Sequence, residues 1–148
     1  MKVACGFDHA GFPLKERIVA AVQAAGHEVI DLGTHSTEPV DYPDVAQKVG
    51  RSVTSGIAER GILVCGSGAG VSIAASKIDG IRAATIHDEY TAHQAVEHDN
   101  VNVLCLGARV IGVEPAVEIV SKFLGAEFSG EERHVRRLAK VDQIEATN

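Results

Sequence analysis

The chain has 148 residues, 45% of them hydrophobic, and a formal net charge of −6, which suits one domain with a full core. The acidic balance disfavours nucleic acid as a partner, and no apolar stretch approaches the roughly 18 to 20 residues of a membrane span. The three cysteines, Cys5, Cys65 and Cys105, show neither CxxC pairing nor metal-ligand spacing. We therefore expect a cytoplasmic protein that needs no disulfide, metal or membrane.

Short runs rich in β-branched residues alternate with helical patterns. The runs predict five strands, at 2–6, 28–32, 61–64, 81–86 and 101–106. The first helix follows Pro13, carries the apolar stripe of Leu14, Ile18 and Val22, and stops at Gly26. Later helices are predicted at about 44–56, from about 71, and at about 89–97, 113–123 and 130–141. This alternation predicts an α/β fold, a single-domain Rossmann-like three-layer sandwich over 1–148 with a mainly parallel sheet.

Polar residues follow several of the predicted strands. Asp8 and His9 come after the first strand, Cys65 after the third and Arg109 after the fifth, while the irregular stretch 33–43 follows the second. Open α/β folds bind ligands at the carboxyl edge of the sheet. We expect these residues to meet at that edge.

The segment CGSGAG at 65–70 joins a predicted strand to a predicted helix. Glycine lets backbone approach a ligand, and the N–H groups at a helix start attract negative charge, which favours Cys65 as a thiolate. The segment lacks the GxxxxGK pattern of a P-loop. Two alternatives stay open: a dinucleotide loop with Asp88 downstream, although the spacing is GxGxG, and a turn needed only for packing. Cys5 and Cys105 lie within apolar strands, where packing is the expected role.

Two further groups carry candidate chemistry. His98 precedes the fifth strand, and a histidine at the sheet edge can move protons near neutral pH. Arg133 and Arg137 are four residues apart, so they share a helix face that can clamp a phosphate. The alternative is a solvated helix in which Glu132 pairs with Arg136. A phosphate-binding face on the last helix would reach a partner subunit's sheet edge more easily than its own.

Taken together, the chain resembles the ribose-5-phosphate isomerase B family, in the group that also holds the galactose-6-phosphate isomerase subunits. The matching motifs cover nearly the whole chain: GFDHAG at 6–11, VDYPD at 40–44, CGSGAG at 65–70, IAASK at 73–77, GIRA at 80–83, LGARVIG at 106–112, and RH at 133–134 with RR at 136–137. The resemblance implies an aldose–ketose isomerase that acts on a phosphorylated sugar through a cis-enediolate, without a cofactor.

The resemblance also implies a role for each candidate residue. Cys65 is the base between C2 and C1, Ser67 shuttles protons among sugar oxygens, and His98 assists ring opening. The enediolate is held by backbone N–H groups of Gly66, Gly68, Ala69 and Gly70. The residues implied in substrate binding are Asp8, His9, Tyr42, Asp99, Arg109, Arg133 and Arg137. Of these, Arg133 and Arg137 are expected from a second subunit, in a homodimer or homotetramer with shared active sites and a C-terminal helix at the interface.

Some positions depart from the family pattern. Family members without the cysteine use a glutamate where this chain has Val71, so Cys65 is the only base available. Ser67 replaces the usual threonine, and Asp99 replaces an asparagine expected to bond a sugar hydroxyl. Phe7 replaces a small residue, and we expect its bulk to reshape the pocket.

Ribose 5-phosphate is the expected substrate, and the alternative substrates are allose 6-phosphate, galactose 6-phosphate and a tetrose phosphate. A further alternative is a noncatalytic module that binds a sugar phosphate or a nucleotide.

Overall fold

A computed structural model describes all 148 residues and contains one five-stranded sheet. The strands are β1 (Lys2–Phe7), β2 (Glu28–Asp31), β3 (Arg60–Cys65), β4 (Ala83–Thr85) and β5 (Val103–Gly107). Their order is β2-β1-β3-β5-β4, and every pairing is parallel. The mainly parallel sheet that the sequence predicts is confirmed. The fourth strand is shorter than predicted. Ile81 and Ile86 are buried, as the apolar pattern indicated, but neither belongs to the ladder that β4 forms with β5.

A helix connects each strand to the next, and two more helices follow the last strand. The helices are α1 (Lys15–Ala24), α2 (Tyr42–Thr54), α3 (Ala69–Ala75), α4 (Glu89–Asp99), α5 (Val113–Gly125) and α6 (Glu132–Ala146), and a 3₁₀ turn at Phe12–Leu14 precedes α1. Helix α2 starts earlier than predicted because Pro43 fits its first turn. Helix α6 extends past the predicted end because neither Gly nor Pro interrupts it. No helix combines the length and the hydropathy that a membrane-spanning helix requires.

The two faces of the sheet bury separate apolar clusters, as the alternation of side chains along a strand requires. One face packs against α1, α4 and α5, and it includes Cys5 and Phe7. The other packs against α2 and α3, and it includes Cys65 and Cys105. Helix α6 belongs to neither cluster.

The expectation that Phe7 reshapes the pocket is wrong. Its side chain is fully buried in the cluster beneath α1 and α5, on the sheet face opposite the one that holds Cys65. In the register of the sheet Phe7 lies beside Val64, whose side chain belongs to the same cluster. The bulk of Phe7 therefore fills the core.

Close contact between two loops fixes the carboxyl edge of the sheet. Gly107, at the end of β5, lies so near the loop after β3 that an added Cβ would be 2.6 Å from the carbonyl carbon of Ser67. The N–H of Ala108 donates to the carbonyl of Cys65 at 2.9 Å, and that of Arg109 donates to Gly66 at 3.0 Å. These contacts hold the ends of β3 and β5 together.

Candidate active site

A cavity of about 390 Å³ opens at the carboxyl edge of the sheet. It brings together many of the residues expected there: Asp8, His9, Tyr42, Cys65, Gly66, Ser67, Gly70 and Arg109. Ala10 and Val110 complete its lining. The predicted convergence of strand ends is thus present in the fold.

Cys65 ends β3, with 5% of its surface exposed. Its Sγ accepts a hydrogen bond from the N–H of Gly68 at 3.1 Å. Gly68 has a φ of +81°, a conformation that glycine adopts without strain, and its carbonyl accepts a bond from Thr85 Oγ1 at 2.8 Å. The loop thus holds a backbone donor against the sulfur, which favours negative charge there.

The other two cysteines have a different environment. Both side chains are fully buried in apolar clusters, and burial raises the pKa of the Cys5 thiol and of the Cys105 thiol to about 12. Both stay protonated near neutral pH. The expected packing role of Cys5 and Cys105 is confirmed.

Asp8 and His9 follow β1, and backbone contacts orient both. Asp8 is 5% exposed, and its Oδ1 accepts the N–H groups of Ala10 at 2.9 Å and Gly11 at 2.8 Å. His9 Nδ1 accepts the N–H of Val40 at 3.2 Å, so the ring proton of the neutral form lies on Nε2. His9 therefore offers a donor to a ligand anion.

Three more side chains complete this part of the site. The Tyr42 ring packs beside Gly70, where an added Cβ would be 3.0 Å from the ring. The guanidinium of Arg109 lies next to Gly66, with Nη1 3.4 Å from an added Cβ there. The Ser67 hydroxyl accepts the N–H of Ala69 at 3.2 Å and is exposed. A cation, a phenol and a hydroxyl thus line the same cavity as the sulfur.

The predicted residues on α4 and α6 do not line this cavity. His98 and Asp99 end α4, while Arg133 and Arg137 lie exposed on α6. The His98 ring stacks on His134, with centroids 4.2 Å apart. Within one chain the predicted set is therefore divided into the Cys65 cavity and a second cluster on α4 and α6.

Sequence reasoning missed several contacts of this second cluster. The Gln94 side-chain amide lies 2.9 Å from His98 Nδ1, a contact that the i, i+4 spacing signals. The pair of Glu132 with Arg136, which the alternative of a solvated helix predicted, does not form; Arg133 pairs with Glu131 at 3.1 Å instead. No sequence pattern signals the stack of His98 on His134, because it depends on how α6 packs against α4.

Residues 3–141 match the family model described as Ribose/Galactose Isomerase. The chain belongs to the ribose/galactose isomerase family. One family relative, ribose-5-phosphate isomerase B of Escherichia coli strain K12, is 46% identical over 144 residues, which cover 97% of this chain and 96% of the relative. Another relative, the D-erythrulose-4-phosphate isomerase of Pectobacterium atrosepticum, is 44% identical over 131 residues. These residues cover 88% of this chain and 86% of the relative.

A solved structure in the ribose/galactose isomerase family supports the same assignment. Ribose-5-phosphate isomerase B of Clostridium thermocellum superposes with a TM-score of 0.96, at 48% identity, over 99% of both chains. The predicted single-domain α/β architecture and the predicted family are both confirmed. The chain is accordingly an isomerase.

Proposed function

We propose that the protein interconverts ribose 5-phosphate and ribulose 5-phosphate through a cis-enediolate, with Cys65 as the base. The observation that carries the proposal is the Cys65 sulfur, 3.1 Å from a backbone donor and facing a cavity lined by polar groups. Relatives named as ribose-5-phosphate isomerase B share nearly the full length of the chain. Absence of ribulose 5-phosphate after incubation with ribose 5-phosphate would refute the proposal.

The proton transfer uses residues of one chain. The Cys65 thiolate takes the hydrogen from C2 of the open-chain aldose, and the electron pair moves to O1 to form the enediolate. Ser67 passes the O2 proton to O1, and Cys65 returns its proton to C1, which leaves a ketone at C2. The amides of the loop, from Gly66, Gly68, Ala69 and Gly70, stabilise the charge that grows on oxygen.

Groups around the cavity are suited to hold the substrate. Asp8 Oδ1 is bound by two backbone N–H groups, so the carboxylate is rigid and can accept sugar hydroxyls. Tyr42 packs against the glycine loop and is 42% exposed, which places a phenol beside the sugar. His9 Nε2 and Arg109 supply donors for the phosphate.

A second copy of the chain supplies the residues that the cavity lacks: His98, Asp99, Arg133 and Arg137. This part of the proposal is supported by α6, which lies outside both apolar clusters. Near its start α6 packs on α4, and near its end Glu145 accepts the N–H of Gly80 at 3.0 Å. Between these contacts Val141 is 49% exposed, and Ile144 is 67% exposed. An uncovered apolar helix face is typical of an interface, and a homodimer or a homotetramer would cover it.

A tetrose phosphate is the second candidate substrate, because a relative named D-erythrulose-4-phosphate isomerase is 44% identical. Values of kcat/KM for ribose 5-phosphate, erythrose 4-phosphate, allose 6-phosphate and galactose 6-phosphate distinguish the candidates. We expect the highest value for ribose 5-phosphate. A higher value for another sugar would reassign the substrate, and no product from any would favour a noncatalytic binding module.

We also propose a cytoplasmic location and no cofactor requirement. The proton transfers above use only side chains and backbone amides. All three cysteines are free thiols, which suits a reducing compartment.

A further inference from the structure

His134 is the buried residue of a helix that is otherwise mostly exposed. It is 2% exposed, although its neighbours in α6 face solvent. Its Nδ1 lies 2.7 Å from Ser129 Oγ, which satisfies one nitrogen of the buried ring. Burying an imidazole is unfavourable unless it gains such contacts, so this placement needs a reason.

The second contact of His134 supplies that reason. Its ring stacks on His98 with an interplanar angle of 28° and a centroid distance of 4.2 Å. Gln94 contacts His98 at the ring edge, through Nδ1. The contact with Gln94 alone would let the His98 ring rotate about the hydrogen bond, whereas the stack with His134 fixes the plane of the His98 ring. The two contacts together leave His98 Nε2 free in one fixed direction.

The environment of His134 disfavours its protonated form. Burial lowers its pKa, and His98, Arg133 and Arg137 add to that effect, while Glu131 opposes it. A neutral ring does not repel His98 when His98 carries a proton. His134 can thus support the imidazolium form of His98 without competing for the proton.

We propose that His134 is a positioning residue for opening of the sugar ring. The inference rests on the proposed function, in which His98 serves the ring-opening step of a substrate bound by a second copy. Protonated His98 gives its Nε2 proton to the ring oxygen as the bond from C1 to that oxygen breaks. The C1 hydroxyl becomes the aldehyde by losing its proton to water, and water returns a proton to His98. His134 acts through His98 and contacts no substrate atom.

Ring opening can be separated from proton transfer by the choice of substrate. Ribulose 5-phosphate cannot form a furanose ring, because its C5 oxygen carries the phosphate. Exchange of its C1 hydrogen in heavy water therefore needs the Cys65 step but no ring opening. Conversion of ribose 5-phosphate needs both steps, so the ratio of the two rates reports on ring opening alone.

We expect His134→Ala to lower kcat/KM for ribose 5-phosphate by about 10- to 100-fold, part of what an acid catalyst typically contributes. The exchange rate of ribulose 5-phosphate should fall by less than about threefold, because the proton-transfer step is retained. His134→Phe keeps a flat ring against His98 and should recover most of the loss. His93→Gln, at an exposed histidine five residues before His98 in α4, is the control and should change neither rate.

A double-mutant cycle completes the test. In a His98→Ala background, His134→Ala should add almost no further loss, because it acts only through His98. Equal falls in both rates, or full additivity with His98→Ala, would overturn the inference and leave the proposed function intact. No ribulose 5-phosphate from the wild-type protein, or an undiminished rate in Cys65→Ala, would instead contradict the proposed function.

Discussion

Gly68→Ala tests whether the backbone between β3 and α3 takes part in catalysis. Gly68 has a φ of +81°, which costs a residue with a side chain about 1–2 kcal/mol. An added Cβ would also lie 2.9 Å from Thr85 Cγ2 and 3.0 Å from the carbonyl carbon of Leu106. Backbone at that distance cannot rotate away as a side chain can, so the loop itself must move.

Movement of the loop has a direct cost for the reaction. It draws the Gly68 N–H away from Cys65 Sγ, now at 3.1 Å, and strains the bond from Thr85 to the Gly68 carbonyl. A hydrogen bond to a charged group contributes about 1.5–3 kcal/mol, which corresponds to about 10- to 150-fold in rate. We expect kcat/KM for ribose 5-phosphate to fall by that factor.

Gly26→Ala is the matched control. Gly26 has a φ of +85° just after α1, and nothing lies within 4 Å of an added Cβ. The same strain of about 1–2 kcal/mol should lower Tm by about 2–8 °C without changing kcat/KM. Calorimetry and initial rates on both variants separate strain from catalysis. If Gly68→Ala is folded and retains the wild-type kcat/KM, the loop amides have no part in the reaction.

Three further predictions concern binding, assembly and pH. Arg137→Ala should raise KM for ribose 5-phosphate and change kcat little, since the phosphate is distant from the reacting carbons; an unchanged KM would contradict the phosphate assignment. Val141→Asp should place a charge on the exposed apolar face of α6, and ultracentrifugation should show monomers with little activity; an active monomer would contradict the shared site. Burial raises the pKa of the Cys105 thiol from 9.0 to about 12, so the folded state favours the protonated form. The free energy of unfolding that Cys105 contributes should be fully present below pH 9, where the thiol is protonated in the folded and the unfolded chain. Above pH 9 this contribution should fall by up to about 1.4 kcal/mol per pH unit as the unfolded chain loses the thiol proton. Urea unfolding of Cys105→Ala should show a shallower alkaline loss than the wild type, and equal slopes would refute this.

The local sequence was enough to predict the sheet and the edge at which the candidate site lies. Apolar β-branched runs mark the buried strands, and polar residues such as Asp8 and Arg109 follow them directly. Because parallel strands end at the same edge, the cavity around Cys65 could be predicted from chain order alone. The resemblance to a family added an expected role for each residue.

Features that depend on long-range packing could not be predicted in this way. The face of the sheet that Phe7 joins depends on the register between β1 and β3, which short segments do not specify. The stack of His98 on His134 depends on the docking of α6 against α4. The separation of His98, Asp99 and the two arginines from the Cys65 cavity likewise depends on how α4 and α6 pack.

The central claim is that the Cys65 sulfur carries the proton between C2 and C1. The most direct measurement compares kcat and substrate affinity in Cys65→Ala, with Cys105→Ala as the control for loss of a buried thiol. We expect kcat of Cys65→Ala to fall by about 10²- to 10⁴-fold, the range for loss of a general base, while Kd for ribose 5-phosphate stays nearly constant. A Cys65→Ala protein that turns over ribose 5-phosphate at the wild-type rate would contradict the claim.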